Sequence, residues 1–578
     1  MLVSTLRAVL NLLRIPFLPL FWLSRLFGRP RGDWIHVRIS PRLAEFAGPR
    51  PFFLRFFPAL QKALPTPLGA LRRLADRAVA DDRVRGVVFE IPPLLTGWAG
   101  ASALRRIMAT LRAGEVQVAA YLPQGGGNRE MWIAAAADHI VLGPQATLMA
   151  LGLSAESRYL KPLLDKIGVA VESTARREYK TATETLTRES MSEPQREQVG
   201  ALLDTIDGEL RGALSARMGV ADADADVVFE RGFMRGAEAV ELGFADAIAY
   251  DDELPNVLGT SDKPAKLVPG AAYLAFQETR FFARVLPRPY VGVVEVHGAI
   301  GIPGRGADPE AISAALRVAR RDRFCVGVVI HVDSPGGSAL ASDQIHREVV
   351  RLKEKKPVAA FMGNVAASGG YYVAAPADVI IAEAVTVTGS IGVIMTRFVA
   401  RNLFETLGVR TEVMTRAPHA AMFSPARELS DGEQAILDRE ADGFYQAFVT
   451  IVAEGRGRSF EEVEPLARGR VWSGKDAEAH GLVDRLGGIE DAISHVRSHG
   501  KTPSALWGPV EARPLRPRRR SVPPAPAPQG PSEASSRAVA RAAASALMPG
   551  AGDALDILDL LGGPDRALYW AASIPEVW

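Results

Sequence analysis

The stretch WIAAAADHIVL (132–142) recurs as YVAAPADVIIA (372–382), 240 residues farther along the chain. The segments DKIGV (165–169) and ETLGV (405–409) keep the same spacing. A spacing that holds across two separate segments indicates an internal repeat. A chain of 578 residues is also too long for one hydrophobic core, so we expect at least two domains.

The repeat covers roughly residues 80–250 and 320–490, because GAEAVELGFAD (236–246) still matches GKDAEAHGLVD (474–484) at a spacing of 238. Each copy alternates strand-like β-branched runs, such as DRFCVGVVIHV (322–332), with helical segments. This alternation predicts an α/β fold with largely parallel sheets.

The composition shifts along the chain divide it into five segments. We assign them as a membrane-associating N-terminus (1–32), a first repeat (33–250), a connecting segment (251–285), a second repeat (286–500), and an Arg/Pro-rich linker followed by an Ala/Leu-rich extension (501–578).

The overall composition is that of an ordinary globular protein, with 48% hydrophobic and 23% charged residues. The net charge of +2 gives no indication of nucleic-acid binding. Cys325 is the only cysteine, which excludes an internal disulfide and a cysteine-rich metal site. We therefore expect no cofactor and no metal, and we expect Cys325 to be a small core residue.

The N-terminus is apolar from Ala8 to Ser24, but Arg14, Pro16 and Pro19 interrupt it. The uncharged part after Arg14 is shorter than the ~20 residues of a spanning helix. No small-residue cleavage site follows, so we do not expect a removable signal peptide. The segment is predicted to attach to a membrane, either as an imperfect span or as an interfacial anchor, with a short buried helix as the alternative.

The stretch MGNVAASGGYY (362–372) places Ser368 among small residues, in what we interpret as a short loop that opens a helix. Such surroundings are typical of a nucleophile that must admit a substrate backbone. A serine needs a base to remove its proton, yet no histidine or carboxylate lies within eight residues on either side. In the repeat, Ser368 falls opposite Asn128, so the first copy has no nucleophile.

The second copy, in turn, lacks a residue that the first copy has. Lys180 lies in ARREYKTATE (175–184), at the end of a predicted strand, and its counterpart near Ala420 is not a lysine. Ser390 falls opposite Ala150. Complementary losses of this kind are expected if one active site is assembled from both copies.

A lysine serves as general base for a serine if its pKa is lowered from about 10.4 toward 7. Lys180 would take the proton of Ser368, and Ser390 would hold the lysine amine. The oxyanion of an acyl-transfer reaction needs backbone N–H donors, for which the candidates are Gly336, Gly337 and Gly369. The glycines of DSPGG (333–337) have no equivalent in the first copy.

Four motifs occur together and in order: EYKTATE (178–184) followed by SMSEPQRE, then DSPGG, MGNVAASGGYY and TGSIG (388–392). Together with the tandem arrangement, they resemble the double-length bacterial form of the signal peptide peptidase A family of membrane-bound Ser–Lys proteases. The resemblance is strongest over 290–490, moderate over 33–250 and absent beyond 500.

This resemblance implies a crotonase/ClpP-like fold in each copy, a spiral of β-sheets with flanking helices, with one degenerate and one nucleophile-bearing half. It also implies a homotetramer at the bacterial inner membrane that cleaves short hydrophobic peptides such as released signal peptides. Ser368 would take the place of the nucleophile, Lys180 that of the base and Ser390 that of the serine that orients the lysine.

Two other classes of function remain open. One is a crotonase-type enzyme acting on acyl thioesters, which relies on carboxylates or on no nucleophile at all. The other is a catalytically inactive scaffold that binds peptides or membrane partners. The histidines assemble into no competing triad, and His331 is expected to lie on a strand with its side chain in packing.

Overall fold

Two sheets of equivalent topology form the body of the chain. The computed structural model describes residues 2–48, 64–260, 262–282, 287–301, 306–501 and 510–516. The strands of the first half are β1 (Trp34–Arg38), β2 (Leu43–Ala44), β3 (Thr66–Pro67), β4 (Gly86–Glu90), β5 (Gln117–Leu122), β6 (Gly125–Gly126), β7 (His139–Leu142), β8 (Thr147–Ala150), β9 (Ala170–Arg176), β10 (Gly232–Arg235), β11 (Ala247–Ile248) and β12 (Leu267–Pro269).

The second half contains the corresponding set of strands. They are β13 (Tyr290–His297), β14 (Ala299–Ile300), β15 (Gly306–Ala307), β16 (Cys325–Ser334), β17 (Val358–Ala367), β18 (Val379–Ala382), β19 (Val387–Gly389), β20 (Val393–Val399), β21 (Val471–Ser473), β22 (Arg485–Leu486) and β23 (Glu511–Pro514).

The α-helices lie between and after these strands. They are α1 (Leu2–Arg14), α2 (Leu18–Phe27), α3 (Leu68–Val79), α4 (Trp98–Ala113), α5 (Asn128–Ala134), α6 (Lys161–Lys166), α7 (Glu184–Thr187), α8 (Glu193–Met218), α9 (Asp226–Arg231), α10 (Gly236–Glu241), α11 (Leu254–Leu258), α12 (Gly270–Glu278), α13 (Pro309–Arg321), α14 (Ala339–Lys353), α15 (Gly369–Ala374), α16 (Arg401–Thr406), α17 (Asp431–Arg456), α18 (Phe460–Val463), α19 (Gly474–Ala479) and α20 (Ile489–His499).

The two main sheets have matching strand orders. The first runs β11-β7-β5-β4-β1-β12, and the second runs β22-β18-β17-β16-β13-β23, with parallel pairing between all neighbours. The edge strand β12 comes from the segment that we assigned as a connector, and β23 lies beyond residue 500. The two sheets therefore include residues that lie beyond the C-terminal ends we assigned to the repeats. The predicted Ala/Leu-rich extension lies outside the described residues.

The central strands are rich in apolar β-branched residues, which explains why both of their faces are buried. The strand β16 reads CVGVVIHVDS, a β-branched run of the kind found in parallel strands that are covered by helices on both sides. Cys325 is buried at its start, which confirms the prediction of a core cysteine. His331 is also buried, and its ring packs against Phe361, as expected.

The two longest helices, α8 and α17, have the same length of 26 residues and equivalent ends. Ser192 caps α8 by accepting a hydrogen bond from the Gln195 N–H, and Ser430 caps α17 in the same way. Each helix ends at a glycine with a left-handed backbone, Gly219 or Gly457. The two repeats therefore share the length of this helix and the residue types at both of its ends.

The N-terminal helices α1 and α2 lie outside both sheets. Within the described residues, the stretch Val9–Phe27 is long and apolar enough to cross a membrane, judged by length and composition alone, and none of it is buried. The guanidinium of Arg25 lies 3.9 Å from the ring centre of Phe276, and Phe21 packs against Phe281. The segment therefore contacts the connector between the repeats.

One antiparallel strand pair joins the two halves. Strand β9 of the first repeat pairs with β20 of the second, from Ala170 opposite Val399 to Arg176 opposite Val393. Arg397 on β20 is buried, forms an ion pair of 3.1 Å with Glu172 on β9, and donates to the carbonyl of Ser424.

We expect Arg397→Met to lower the free energy of unfolding by about 2–3 kcal/mol, because it leaves the half-buried Glu172 carboxylate without its partner. Urea unfolding measures this change. As a control, Arg401→Met removes an exposed pair with Glu405 and should change the same quantity by less than about 0.5 kcal/mol. Equal effects of the two variants would contradict the assigned role of Arg397.

Candidate active site

Ser368 lies at a sharp turn from strand to helix. Strand β17 runs to Ala367, helix α15 begins at Gly369, and the backbone of Ser368 has a φ of 51°. A non-glycine residue in this region costs about 1–3 kcal/mol, and such strain is concentrated at functional sites. The turn is comparable to the strand-to-helix elbows that expose nucleophilic serines.

The prediction of a short loop before Ser368 was wrong. Val365, Ala366 and Ala367 pair in parallel with β19, so β17 continues as a strand up to the serine. In the first repeat the equivalent stretch is divided into β5 and β6. Small residues and a glycine suggested a loop, but the neighbouring strand supplies hydrogen bonds that local sequence does not show.

The structure brings Lys180 and Ser390 to Ser368. The Lys180 amine lies 3.1 Å from the Ser368 hydroxyl, and it also contacts the hydroxyl and the carbonyl oxygen of Ser390, at 2.8 Å each. Lys180 follows β9 in the first repeat, whereas both serines belong to the second. The site is therefore divided between the halves, as the complementary losses in sequence predicted.

The turn that carries Lys180 is held by the second repeat. Gly469 lies so close that a Cβ added there would be 2.6 Å from the Cβ of Lys180. The amide of Gln198, on α8, donates to the Thr181 hydroxyl at 2.7 Å and accepts from the Val471 N–H at 3.1 Å. These contacts fix the position of the lysine backbone.

Backbone strain is concentrated around the lysine. The described residues contain four non-glycine positions with positive φ, and three of them, Ser368, Ser390 and Arg468, are found beside Lys180 or its turn. A strained backbone persists only where the surrounding contacts hold it in place. These contacts therefore fix the two serines and the lysine in a single geometry.

Burial determines the charge state of Lys180. Its side chain is only 7% exposed, and loss of solvent lowers its pKa from 10.5 to about 7. Among the described residues no carboxylate forms an ion pair with it to oppose this shift. A substantial fraction of the amine is therefore neutral near pH 7.

Two of the three proposed oxyanion donors remain available. The Gly336 N–H donates to the Ser334 hydroxyl at 3.2 Å, and that hydroxyl donates to the Gly298 carbonyl. Gly336 is thus committed to its own turn, which corrects our expectation for this residue. The N–H groups of Gly337 and Gly369 have no acceptor within the described chain, and both residues line the cavity.

A cavity of about 240 Å³ opens beside Ser368. Its wall is mainly apolar and combines residues of the DSPGG turn, β20 and three helices. The lining residues are Lys180, Ala182, Pro335, Gly337, Ala339, Leu340, Ser342, Asp343, Ser368, Gly369, Tyr372, Gly392, Val393, Ile394, Phe444, Ala447 and Phe448.

The sequence did not reveal this wall. Phe444 and Phe448 lie four residues apart on α17, which is also the pattern of an ordinary core-facing helix. Asp343 and Tyr372 showed no pattern at all, because their contact joins two helices that are distant in sequence. Only the proximity of Tyr372 to Ser368 along the chain was a usable signal.

In the first repeat, the position opposite Ser368 has no comparable surroundings. The amide of Asn128 donates to the Gly152 carbonyl at 2.6 Å, so it is used in local structure. Potential metal ligands occur elsewhere, with Glu295, His297 and His331 forming one three-residue group. None of these three residues lines the cavity beside Ser368.

The lowered pKa of Lys180 predicts a stability change that does not depend on catalysis. Between pH 7 and 10.5 the unfolded chain binds a proton that the folded chain does not, so the lysine makes stability rise with pH. Below this window the folded state carries a buried charge. Lys180→Met should therefore raise the free energy of unfolding by about 2 kcal/mol at pH 6, with a smaller gain near pH 10.

Urea unfolding at pH 6 and pH 10 measures this gain. The exposed Lys475 provides the control, since Lys475→Met should show no such dependence on pH. A Lys180→Met protein that is less stable than the parent at pH 6 would mean that the amine is charged and well stabilised in the folded protein.

Comparisons with known proteins agree with the repeat. The sequence profile of Peptidase family S49 matches twice, at residues 113–263 and 350–502. The chloroplastic serine protease SPPA of Arabidopsis thaliana is 31% identical over 440 residues, which are 74% of this chain and 65% of that protein. Protease 4 of Salmonella typhi is 30% identical over 439 residues, covering 73% of this chain and 70% of that protein.

Among solved structures, a ClpP1 variant from Listeria monocytogenes matches with a TM-score of 0.24 and 18% identity, over 35% of this chain and 94% of that one. The two profile matches fall in the first and second repeats, and each contains one part of the divided site: Lys180 in the first, Ser368 and Ser390 in the second. The chain is thus a tandem α/β protein that belongs to peptidase family S49.

Proposed function

We propose that this protein is a serine endopeptidase that uses Ser368 as nucleophile and Lys180 as general base. The observation that carries the proposal is the 3.1 Å contact between a buried lysine amine, with a pKa of about 7, and a serine hydroxyl on a strained turn. Nucleophile and base are within hydrogen-bond reach, and the base is oriented by a third group, Ser390.

The contacts of the amine support one assignment of its hydrogens. A neutral amine has two N–H donors and one lone pair. The Ser390 carbonyl can only accept, so it takes one N–H, and the Ser390 hydroxyl takes the other. The lone pair is then left for the Ser368 hydroxyl, whose proton it removes as the serine oxygen attacks the peptide carbonyl.

The N–H groups of Gly337 and Gly369 would stabilise the oxyanion that forms in this attack. The protonated lysine then donates to the leaving amine as the peptide bond breaks, which leaves an acyl group on Ser368. In the second half-reaction Lys180 takes a proton from water, the hydroxide attacks the acyl carbonyl, and the proton returns to the serine.

The apolar wall of the cavity supports hydrophobic peptides, such as released signal peptides, as substrates. A crotonase-type enzyme acting on thioesters is less well supported, because its chemistry makes no use of a serine with a lysine at 3.1 Å. An inactive scaffold would leave the buried amine and the strained serine without a role.

We further propose that the N-terminal segment associates with a bilayer, at the bacterial inner membrane. Its support is the exposed apolar surface of Val9–Phe27, where Phe17, Trp22 and Phe27 are each more than half exposed. Large aromatic side chains of this kind favour the membrane–water boundary.

A homo-oligomer is also part of the proposal, and the internal repeat supports it. Strands β9 and β20 pair with each other, but their repeat equivalents, residues 410–416 and 153–159, form no strand within the described chain, apart from a single β-bridge at Ala155. Residues 410–416 are exposed throughout, including Val413 and Met414. The equivalent pairing between two chains would join protomers edge to edge.

This pairing has a defined register, which cysteine cross-linking can test. By equivalence with β9 and β20, Ser157 of one chain lies opposite Glu412 of the next, at a Cα separation of about 5 Å that a disulfide can bridge. We expect Ser157→Cys combined with Glu412→Cys to form covalent dimers and larger species on oxidation. The native Cys325 is buried, so each single variant serves as the control. A double variant that stays monomeric on denaturing gels would contradict this interface.

The proposed chemistry predicts a distinctive dependence on pH. Hydrolysis of a peptide ester should increase as the pH rises through about 7, because Lys180 must lose its proton to act as base. Ser368→Ala and Lys180→Ala should each abolish turnover. Ser390→Ala should lower kcat by about 10- to 100-fold and shift the pH dependence of hydrolysis, because the Lys180 amine loses its hydrogen bond to the Ser390 hydroxyl.

Asn128→Ala is the matched control in the nucleophile-free repeat, and it should retain turnover. Labelling by an alkyl phosphonate probe should occur on Ser368 in the parent protein. Turnover that survives in Lys180→Ala, or labelling that survives in Ser368→Ala, would exclude the assigned pair.

A further inference from the structure

One acidic side chain interrupts the apolar wall of the active-site cavity. Asp343 lines the cavity together with Leu340, Phe444 and Phe448. Apart from Lys180, it is the only charged side chain in the described wall. A carboxylate in such a position is a specificity element, because it attracts cations and repels anions at close range.

The position of Asp343 relative to the nucleophile is well defined. Tyr372 lies four residues after Ser368, one helical turn along α15, and its N–H donates to the Ser368 carbonyl. The Tyr372 hydroxyl donates to a carboxylate oxygen of Asp343 at 3.0 Å. The carboxylate is therefore fixed to the helix that begins directly after Ser368, and both residues line the same cavity.

The surrounding rings keep this tyrosine in place. Its ring centre lies 4.9 Å from that of Phe448 and 5.3 Å from that of His346. Burial lowers the pKa of His346, so its imidazole is uncharged at neutral pH and does not neutralise Asp343. The tyrosine thus orients one carboxylate oxygen and leaves the other available.

Asp343 has no cationic partner within the described chain. It forms no ion pair there, and its side chain is exposed at the cavity. Lysine and arginine side chains combine an apolar stem with a charged tip, and they place the stem along apolar surface while the tip reaches a polar group. The wall of the cavity offers both kinds of contact.

We infer that the cavity beside Ser368 accepts a lysine or arginine side chain of the peptide, with its stem against the apolar wall and its cationic tip at Asp343. The inference rests on the proposed peptidase function and specifies its substrate class: apolar peptides that carry a basic residue next to the bond that is cleaved. An acidic residue at the same position is rejected.

Matched peptide esters test this specificity. Three substrates share one apolar sequence and differ only in the residue that carries the ester, which is lysine, norleucine or glutamate. The full-length parent should hydrolyse the lysine ester with the highest kcat/KM and the glutamate ester with the lowest. In Asp343→Asn, which keeps the shape, the lysine-to-norleucine ratio of kcat/KM should fall by about 2- to 5-fold, the range of an exposed ion pair. High salt should lower the same ratio in the parent.

Asp262→Asn removes the same charge in the connector and should leave the ratio unchanged. Asp343→Lys should reverse the order of the lysine and glutamate esters. A ratio that is the same in the parent and in Asp343→Asn would overturn the inference, while norleucine ester hydrolysis that depends on Ser368 would still support the peptidase. Absence of Ser368-dependent hydrolysis of all three esters would overturn both.

Discussion

The pairing of β9 with β20 is the interaction on which the rest of the structure depends. Each repeat has its own main sheet and its own main hydrophobic core. This antiparallel ribbon brings the end of one repeat's strand to the nucleophile of the other. The precision of the lysine contact therefore comes from a backbone ladder, which is more rigid than contacts between surface side chains.

The site uses three costly features, and each supports another. The lysine loses solvent, while Ser368 and Ser390 both adopt left-handed backbones. The strained turns point two hydroxyls at one amine, and the amine satisfies both hydroxyls. Gln198 joins the lysine turn to Val471 of the second repeat, and Gly469 of the second repeat packs against Lys180 itself. Such mutual dependence explains how unfavourable local conformations persist in a stable protein.

The sequence predicted the repeat, the α/β class and the division of the site, because these depend on periodic burial and on residue types that survive in only one copy. It failed where the outcome depends on tertiary contacts. The pairing of Val365 with β19 turned an expected loop into a strand. The Gly336 N–H was lost as a donor because Ser334 accepts from it. Strand β23 lies in a segment whose composition suggested a linker.

The division of the site also has a consequence for biosynthesis. A ribosome makes Lys180 well before Ser368, so the incomplete chain contains a base without a nucleophile. A fragment that contains only the second repeat has the nucleophile but not the base. Under the proposed chemistry, neither repeat alone can hydrolyse a peptide bond. Activity arises only when both repeats have been made and β9 has paired with β20. Under the proposed chemistry, the division of the site thus keeps a partial chain inactive until both repeats have folded together.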